Sequence, residues 1–535
     1  MPLFRHNYSP TPSCLTFAVF LQIIAVGGEA GAFKQPHILF IVADDFGWND
    51  VGYHGSEIHT PALDRLAADG VKLDSYYVQP ICSPTRSQLL TGRYQIHTGL
   101  QHGVIRPAQP NGVPLDVPTI ADMLKSAGYS THMVGKWHIG FYKKEYMPTY
   151  RGFDSFYGYL LGAEQYYTHK RCFDIHEGRT HKRLCGLDLH ENDKPVLNES
   201  GTYSTQLFTT RAERVVKEHV KSGSNKPLFL YLPLQAVHAP LEVPPEYVHK
   251  YDFIKDKARR KYAGMVSCMD EAVANITKTF KNFGLWDNTV LIFSTDNGGQ
   301  VKEGGNNWPL RGWKGSLWEG GMRGVGFVNS PLLEKNSTTS QELLHVSDWF
   351  PTLMYLARAN TTGLKLDGYN VWQTISKGKP SPRKELLHNI DPLEWPSGSP
   401  FPGGGFDSRV RAAVRVGRWK LITGNPGPGT WVPPPDKRDT TLHFKRTEHT
   451  HTDNTLRFIP RYKEKRSDTQ NVWLFDIMKD PLEKDDLSQK YPSVVRNLLQ
   501  RLAYYNSTAV PVRYPPEDLN ADPAKHGGVW RPWED

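Results

Sequence analysis

The sequence has few cysteines and no long apolar run, and both features restrict the kind of protein it encodes. The N-terminal apolar run, residues 15–26, is twelve residues long, whereas a helix needs about 20 apolar residues to cross a bilayer. No later segment is long enough either, so we expect no stable membrane insertion. Only five cysteines occur among 535 residues, while 39% of the residues are hydrophobic, which is ample for large cores.

The N-terminus has the form of a signal peptide. Arg5 precedes the apolar run, and Ala30-Gly31-Ala32 has the small-x-small pattern of a signal-peptidase site. We therefore predict that residues 1–32 are removed. The mature protein is expected in the secretory pathway, either in the lysosome or secreted.

The remaining cysteines and the glycosylation sequons fit that compartment. Cys172 and Cys185 are the natural local disulfide pair because they close a short loop, which leaves Cys268 unpaired and buried on a helix. N-glycosylation sequons, which also arise by chance, occur at Asn198, Asn275, Asn336, Asn360 and Asn506.

The chain is basic, with a formal net charge of +9 and a pI near 9.0. This charge suits an anionic partner, and a secretory protein meets sulfated or carboxylated polysaccharides rather than nucleic acid. The densest basic stretch, residues 445–466, is more typical of a solvated, mobile loop than of a binding site.

The hydrophobic pattern divides the chain into two parts. Up to about residue 365, short apolar strands alternate with helical segments, which predicts an α/β fold with a large, mostly parallel sheet between helices. Beyond this point, an antiparallel hairpin at 409–423, a strand at 471–477 and a helix at 492–505 are predicted.

We therefore predict a larger domain at 33–365 and a smaller C-terminal subdomain at 366–535, built from a short antiparallel sheet and a helix. A polar segment near 436–470 is expected to be a mobile insertion.

Three predicted strands, residues 37–43, 227–234 and 289–295, end in polar side chains. Asp44-Asp45 follows the first strand, His238 lies shortly after the second, and Asp296-Asn297 follows the third. The carboxyl ends of parallel strands form one edge of a sheet, where ligands bind in α/β folds. Oxygen ligands indicate a hard cation such as Ca²⁺ or Mg²⁺ rather than zinc, while an exposed acidic turn is the alternative.

Cys82-Ser83-Pro84-Thr85-Arg86 predicts a second part of the site. Ser83 is a preferred N-cap residue and Pro84 suits the first helical position, so a helix should start here. Its free N–H groups attract anions, and Arg86, about one turn further on, can help to neutralise a bound oxyanion. From the residues themselves, Cys82 can be a low-pKa thiolate nucleophile or a small buried side chain.

Two further segments carry basic side chains. Lys136 and His138 alternate on one side of an extended segment, so both can point into one cleft, although such a pair is usually surface chemistry. Residues 307–321 are rich in glycine, which predicts a tight loop whose backbone approaches a ligand and from which Lys314 projects.

These motifs resemble those of the sulfatase family. Cys82-Ser83-Pro84-Thr85-Arg86, followed by Leu90-Thr91-Gly92-Arg93, is similar to the sulfatase signature, and residues 128–140 are similar to the second signature. The likeness extends over residues 37–533 and is strongest to the arylsulfatase B group, with arylsulfatases I and J beside it. It implies an alkaline-phosphatase-like fold in which residues 33–365 form the catalytic domain.

The resemblance also implies two cofactors. The formylglycine-generating enzyme would oxidise Cys82 to formylglycine (3-oxoalanine), and one Ca²⁺ would be held by Asp44, Asp45, Cys82, Asp296 and Asn297. Sulfate binding and proton transfer are assigned to Arg86, Lys136, His138, His238 and Lys314, and substrate contacts to Lys136, His238 and Lys314. In the implied mechanism His238 and Lys314 protonate the leaving oxygen, and His138 helps to release sulfate.

The implied reaction removes sulfate from a sulfated sugar, with the N-acetylgalactosamine 4-sulfate units of dermatan and chondroitin sulfates as first candidate. The alternatives are an arylsulfatase I- or J-like secreted sulfatase of another substrate, a phosphatase of the same architecture and a catalytically inactive glycan-binding homologue. The Ser or Thr nucleophile and the richer His/Asp clusters of such phosphatases are not seen. The intact set of ten site residues argues against the inactive homologue.

Overall fold

The fold is described from a computed structural model, which covers residues 34–177, 180–435 and 470–535. The predicted signal peptide, residues 1–32, lies outside these ranges, as does the insertion near 436–470 apart from residue 470. Residues Gln35–Asp535 group into one compact unit, and the boundary near residue 366 stays a prediction.

The secondary structure of the described residues comprises the following strands and helices. The strands are β1 His37–Ala43, β2 Val71–Leu73, β3 Tyr76–Tyr77, β4 Ser130–Lys136, β5 Ser155–Tyr159, β6 Lys170–Glu177, β7 Thr180–Leu187, β8 His190–Glu191, β9 Lys194–Pro195, β10 Leu228–Pro233, β11 Thr289–Thr295, β12 Gly326–Asn329, β13 Thr338–Ser340, β14 Leu344–His345, β15 Glu385–Asp391, β16 Arg411–Val416, β17 Trp419–Thr423 and β18 Val472–Asp476. The helices are α1 Pro61–Asp69, α2 Cys82–Thr91, α3 Ile120–Ser126, α4 Ser204–Lys221, α5 Pro245–His249, α6 Lys257–Asn282, α7 Glu319–Met322, α8 Trp349–Ala357, α9 Trp372–Lys377 and α10 Pro492–Thr508.

Strand β1 lies inside a ten-stranded sheet with the order β13-β2-β12-β11-β1-β10-β4-β5-β8-β9. All seven residues of β1 are buried, as expected for a continuous apolar run. β1 is parallel to β10 and β11, and β4 is parallel to β10 and β5. The predicted parallel sheet is thus confirmed at the centre, whereas β12 and β8 pair antiparallel with their neighbours and make the whole sheet mixed.

Helices cover both faces of this sheet, and the side chains of β1 alternate between the two layers. Ile38 and Phe40 belong to a buried apolar cluster that includes residues of α3 and α8. Leu39 and Ile41 belong to a second cluster, which includes residues of α1, α4 and α6. Because successive side chains of a strand point to opposite faces, one apolar run supplies both layers.

The C-terminal part has a four-stranded antiparallel sheet in the order β15-β16-β17-β18. The predicted hairpin is β16–β17, the predicted strand is β18, and the predicted final helix is α10. Val414 and Leu421 share a buried cluster with Leu499 and Leu502 of α10, which packs the helix on the sheet. The C-terminal sheet and helix are therefore confirmed, and β15 is a strand that the sequence analysis did not predict.

The cysteine predictions hold in the structure. A disulfide joins Cys172 of β6 to Cys185 of β7, and Cys268 is free and buried on α6. The five sequon asparagines are all exposed, which leaves their glycosylation a prediction. Within the described ranges, no helix has the length and hydropathy needed to cross a membrane.

Candidate active site

Four adjacent strands bring the predicted site residues to one edge of the large sheet. Their order is β11-β1-β10-β4. The site residues at their carboxyl ends, all buried, are Asp44 and Asp45 after β1, Asp296 and Asn297 after β11, His238 after β10 and Lys136 at the end of β4. The prediction that the ends of these strands meet at one edge is therefore confirmed.

Cys82 is the first residue of α2 and lies against these carboxylates. Its Sγ atom is 3.7 Å from Asp44 Oδ1, and the residue is only 2% exposed. Burial raises the pKa of the Cys82 thiol to about 12, although Lys136 and Lys314 act in the opposite direction. Burial therefore disfavours the charged form of the unmodified thiol.

The helix start is correctly predicted, but Ser83 does not cap it. Ile81, in an extended conformation, occupies the N-cap position. Ser83 Oγ donates to the carbonyl oxygen of His138 at 3.0 Å and accepts from the N–H of Ile105 at 3.2 Å. Ser83 thus joins α2 to two neighbouring segments of the site, because acceptors and donors outside the helix compete for its hydroxyl.

Arg86 lies one turn into α2, as predicted, and its guanidinium faces two carboxylates. Nη2 is 2.8 Å from Asp296 Oδ2 and 3.4 Å from Asp44 Oδ2. All three side chains are fully buried. Because a buried charge is costly unless it is paired, this arrangement holds Arg86 in one orientation.

Two lysines complete the charged cluster. Lys136 forms an ion pair with Asp44, and Lys314 Nζ lies 2.7 Å from Asp45 Oδ1. Burial raises the pKa of Asp45, but Lys314, through its charge and its hydrogen bond, acts in the opposite direction, and that pKa lies below its usual value. Asp45 is therefore ionised at neutral pH, and each lysine has a carboxylate partner.

Lys314 projects from the glycine-rich loop at 307–321, hereafter the Lys314 loop, as predicted. Gly312 and Gly315 have φ values of 76° and 84°, a left-handed conformation that favours glycine. The N–H of Gly315 donates to the carbonyl of Pro80 at 2.7 Å. This contact places the loop backbone directly beside the residues that precede Cys82.

The two site histidines have defined tautomers because each contacts a carbonyl oxygen, which can only accept. His138 Nε2 is 3.1 Å from the carbonyl oxygen of Ile105, so Nε2 carries the proton. Nδ1 therefore has a lone pair, and it is buried without a hydrogen-bond partner among the described residues. His238 Nδ1 is 2.6 Å from the oxygen of Ala239, which leaves the lone pair on Nε2, 3.7 Å from Asp45 Oδ2. Burial, reinforced by the charge of Lys136, keeps the pKa of His138 well below its usual value. Burial and the charge of Lys314 do the same for the pKa of His238.

His138 reaches this position differently from the prediction. β4 ends at Lys136, and His138 has a φ of 57°, so the two residues do not alternate along one extended segment. The ring packs against Gly162, where an added Cβ would lie 2.8 Å from His138 Cε1. The local turn, rather than strand periodicity, directs the imidazole.

The donor set fits a divalent cation. Asp44, Asp45, Cys82 and His238 each bring one ligand atom within 4.8 Å of the others. Asn297 donates from Nδ2 to Asp45 Oδ1 at 2.7 Å, while its Oδ1 is buried and has no hydrogen-bond partner in the described part of the chain. A buried amide oxygen without a donor is costly unless a cation binds it, so the residues present suit a metal.

Sequence reasoning missed one contributor, Thr85, and did not predict that His238 lies among the possible metal ligands. Thr85 Oγ1 donates to the carbonyl of Asp296 at 2.5 Å and accepts from the N–H of Gln79 at 2.8 Å, which fastens α2 to the end of β11. Thr85 lies inside the quoted motif, so the motif itself was a signal. His238 was assigned to proton transfer, yet its Nε2 belongs to the cluster of possible metal ligands.

Comparisons with known proteins identify the family. The Sulfatase family model matches residues 36–359. Mouse arylsulfatase J is 51% identical over 511 residues, which cover 95% of this chain and 81% of that protein. Mouse N-acetylgalactosamine-6-sulfatase is 31% identical over 390 residues, covering 69% of this chain and 72% of that protein. The chain belongs to the sulfatase family and is a sulfuric ester hydrolase.

Solved structures support the same fold. The crystal structure of Ps i-CgsB in complex with k-i-k-neocarrahexaose superposes with a TM-score of 0.72 at 27% sequence identity, covering 90% of this chain and 95% of that one. The predicted alkaline-phosphatase-like fold is thereby confirmed. Members of the sulfatase family use formylglycine and a divalent metal, and the Cys82 site with its buried acidic cluster fits both.

Proposed function

We propose that this protein removes sulfate from a sulfated glycan, using formylglycine derived from Cys82 and one Ca²⁺. The observation that carries the proposal is the buried constellation at the carboxyl edge of the sheet. There Cys82 at the start of α2 and the paired carboxylates and cations come together with Asn297, whose side-chain oxygen has no hydrogen-bond partner among the described residues.

The metal ligands in this proposal are Asp44, Asp45, Asp296, Asn297 and the converted side chain of residue 82. When bound, the ion would supply a Lewis acid, and a hydroxyl of the hydrated aldehyde at residue 82 would supply the nucleophilic oxygen for attack on sulfur. Calcium is favoured over zinc because carboxylate and amide oxygens dominate the donor set.

The lysines and Arg86 provide the charge that a sulfuryl group needs. Lys136, Lys314 and Arg86 are held by buried carboxylates and lie around Cys82, so their positive charges are oriented before substrate arrives. Preorganised charge of this kind is often the largest catalytic contribution.

The histidine tautomers refine the proton-transfer roles. Lys314 Nζ carries protons and lies beside Asp45, so we assign it as the donor to the leaving alcohol oxygen. His238 Nε2 has a lone pair in its neutral form and therefore accepts rather than donates. His138 Nδ1, which is buried without a partner in the described chain, is the base that accepts a proton when sulfate is released.

Burial of Cys82 bears on how it is modified. A side chain that is 2% exposed, at the start of a fully buried helix, is inaccessible to another enzyme in the folded protein. The formylglycine-generating enzyme is therefore proposed to act before folding, in the secretory pathway. The mature protein is proposed to be lysosomal or secreted.

For the substrate, we propose N-acetylgalactosamine 4-sulfate units of dermatan or chondroitin sulfate as the first candidate. The 51% identity to arylsulfatase J supports the alternative of a J-like sulfatase with another substrate. The relative named N-acetylgalactosamine-6-sulfatase supports a sulfated amino sugar in either case.

The test is release of inorganic sulfate from sulfated oligosaccharides by protein made in cells that contain the modifying enzyme. Chondroitin 4-sulfate, chondroitin 6-sulfate, dermatan sulfate and heparan sulfate fragments would be compared, with a Cys82→Ala variant as control. Release that depends on Cys82 supports the proposal, and preference for one fragment identifies the sugar. Absence of release from every sulfated sugar, by protein shown to contain formylglycine, would contradict it.

A further inference from the structure

The segment from Asp391 to Trp395 leaves the C-terminal sheet at the edge that faces the active site. Asp391 pairs with Arg411 across β15 and β16. Arg411 Nη2 donates at 2.6 Å to the carbonyl of Gly315, the residue after Lys314. The segment therefore begins beside the Lys314 loop.

The same segment is tied to the opposite side of the site. His102 Nδ1 lies 2.9 Å from both carboxylate oxygens of Asp391. Three residues later, the N–H of Ile105 donates a hydrogen bond to Ser83 Oγ, and the carbonyl oxygen of Ile105 accepts one from His138 Nε2. Asp391 thus connects to the residues that flank Cys82 and His138.

A third contact holds the far end of the segment. Asn425 Nδ2 donates to Glu394 Oε1 at 3.3 Å. The next residue, Pro426, accepts on its carbonyl from the N–H of Leu317, in the Lys314 loop, at 2.8 Å. Both ends of the segment are therefore connected to the Lys314 loop, and its first residue, Asp391, is also connected through His102 to the residues beside Ser83 and His138.

Trp395, at the end of this segment, presents a large aromatic surface to solvent. Its exposed fraction is 78%, and that of neighbouring Leu393 is 50%. Among the described residues, Trp395 makes no hydrogen bond or ring contact. Indole rings offer rigid, amphipathic contact area at low entropic cost, a property that suits the C–H face of a sugar ring.

His102 adds a polar group at the other end of the segment, where it contacts Asp391. Its side chain is 22% exposed, and its Nδ1 is engaged by Asp391, which orients the ring and leaves Nε2 to bond another partner. The segment from Asp391 to Trp395 therefore has an oriented polar group at its start and an aromatic surface at its end, the two kinds of group that ligand sites combine.

We propose that Trp395 and His102 form a subsite for the sugar unit adjoining the sulfated one, with Trp395 stacking on the ring and His102 bonding a polar substituent. The proposal rests on the proposed glycan substrate and extends it, because it makes the enzyme prefer sulfated oligosaccharides to sulfated monosaccharides. The occupant is the next unit of the same glycan, since the segment is connected both to the Lys314 loop and to the residues beside Ser83 and His138, which lie around the position proposed for the sulfated unit.

The test compares ligands of different length. Calorimetric titration in a Cys82→Ala background, in which no ligand is consumed, gives Kd for sulfated monosaccharides and for the matching tetrasaccharides of chondroitin, dermatan and heparan sulfates. We expect at least one tetrasaccharide to bind more tightly than its monosaccharide. Trp395→Ala should raise that tetrasaccharide Kd about tenfold while leaving the monosaccharide Kd unchanged, and Trp395→Phe should restore most of the affinity.

Tyr355→Ala is the matched control. Tyr355 is 48% exposed on α8, and this helix ends at Ala357, whose carbonyl binds Gln35 just before β1. It therefore lies near the opposite edge of the sheet, and its loss should change neither Kd.

The proposal is overturned if no tetrasaccharide binds more tightly than its monosaccharide, or if Trp395→Ala leaves the tetrasaccharide Kd unchanged or raises both constants equally. Its failure is separable from failure of the proposed function, because release of sulfate from the same sulfated monosaccharides and tetrasaccharides by protein with Cys82 intact is measured in parallel. Release of sulfate without any effect of Trp395→Ala on binding overturns the subsite alone, whereas absence of release from every sugar overturns the proposed function.

Discussion

Lys420 should be essential for stability, because it bridges two buried carboxylates that link the C-terminal sheet to the Lys314 loop. Its Nζ lies 2.8 Å from Glu319 Oε1 and 2.8 Å from Glu483 Oε1, and all three side chains are fully buried. Tyr77 donates its hydroxyl to the other oxygen of Glu319 at 2.7 Å. The perturbation is Lys420→Met, which keeps most of the side-chain length and removes the charge.

The expected loss follows from leaving two carboxylates without their shared cation. Removing one partner of a buried ion pair costs about 3–5 kcal/mol of unfolding free energy. Burial, opposed by Lys420, raises the pKa of Glu483 to about 7. Burial also raises the pKa of Glu319, but Lys420, Arg323 and Arg415 outweigh it and lower that pKa below its usual value. At pH 5 Glu483 is therefore protonated and only Glu319 loses an ion-pair partner, so the loss should be smaller at pH 5 than at pH 8.

The assay is urea unfolding followed by tryptophan fluorescence at both pH values. Lys182→Met is the control, because Lys182 is 43% exposed and pairs with Asp522. An ion pair with so exposed a lysine contributes about 0–1 kcal/mol. The reasoning is refuted if Lys420→Met is no more destabilising at pH 8 than the control, or if its effect is the same at both pH values.

Three further predictions concern proton binding, catalysis and metal binding. The folded-state pKa of Glu483 lies above its ordinary value of 4.5, so the stability that its protonation contributes is complete below about pH 4.5 and is lost as pH rises through 7. Glu483→Gln should make the free energy of unfolding in urea depend less on pH over this range. An unchanged pH dependence would contradict the raised pKa of Glu483. Lys314→Met should lower kcat for an aryl sulfate about a hundredfold with unchanged metal content, since it removes the proposed proton donor; a kcat within a factor of three of the parent would remove Lys314 from that role. Asn297→Leu should weaken Ca²⁺ binding at least about tenfold in a calcium titration, because the variant lacks the Asn297 side-chain oxygen, which has no hydrogen-bond partner in the described part of the chain. Equal Ca²⁺ affinity of the variant and the parent would exclude Asn297 as a ligand.

The parallel centre of the fold could be predicted because its strands are continuous apolar runs bounded by polar residues. β1 and β11 match their predicted limits, and β10 differs by one residue at each end. β15 escaped prediction because it contains polar residues such as His388 and Asn389, which are buried by partners far away in sequence.

Site residues could be predicted from the sequence where they belong to a local motif. Side-chain orientations could not be predicted where they depend on hydrogen bonds to backbone groups that are remote in sequence. The carboxylates and Arg86 follow from strand ends and helix spacing. Ser83 was misassigned because the carbonyl of His138 and the N–H of Ile105, both remote in sequence, take its hydroxyl. No local pattern connects Lys420 with Glu319 and Glu483, since each comes from a different segment.

The central claim is that Cys82 becomes the formylglycine of a sulfatase. The most direct test is mass spectrometry of the peptide containing Cys82, from protein made in a cell with an active formylglycine-generating enzyme. We expect a mass lower by roughly 18 Da than that of the cysteine peptide, together with reaction with a hydrazide, which is characteristic of an aldehyde. A peptide that carries only unmodified cysteine, while a known sulfatase expressed in the same cells is converted, would contradict the account.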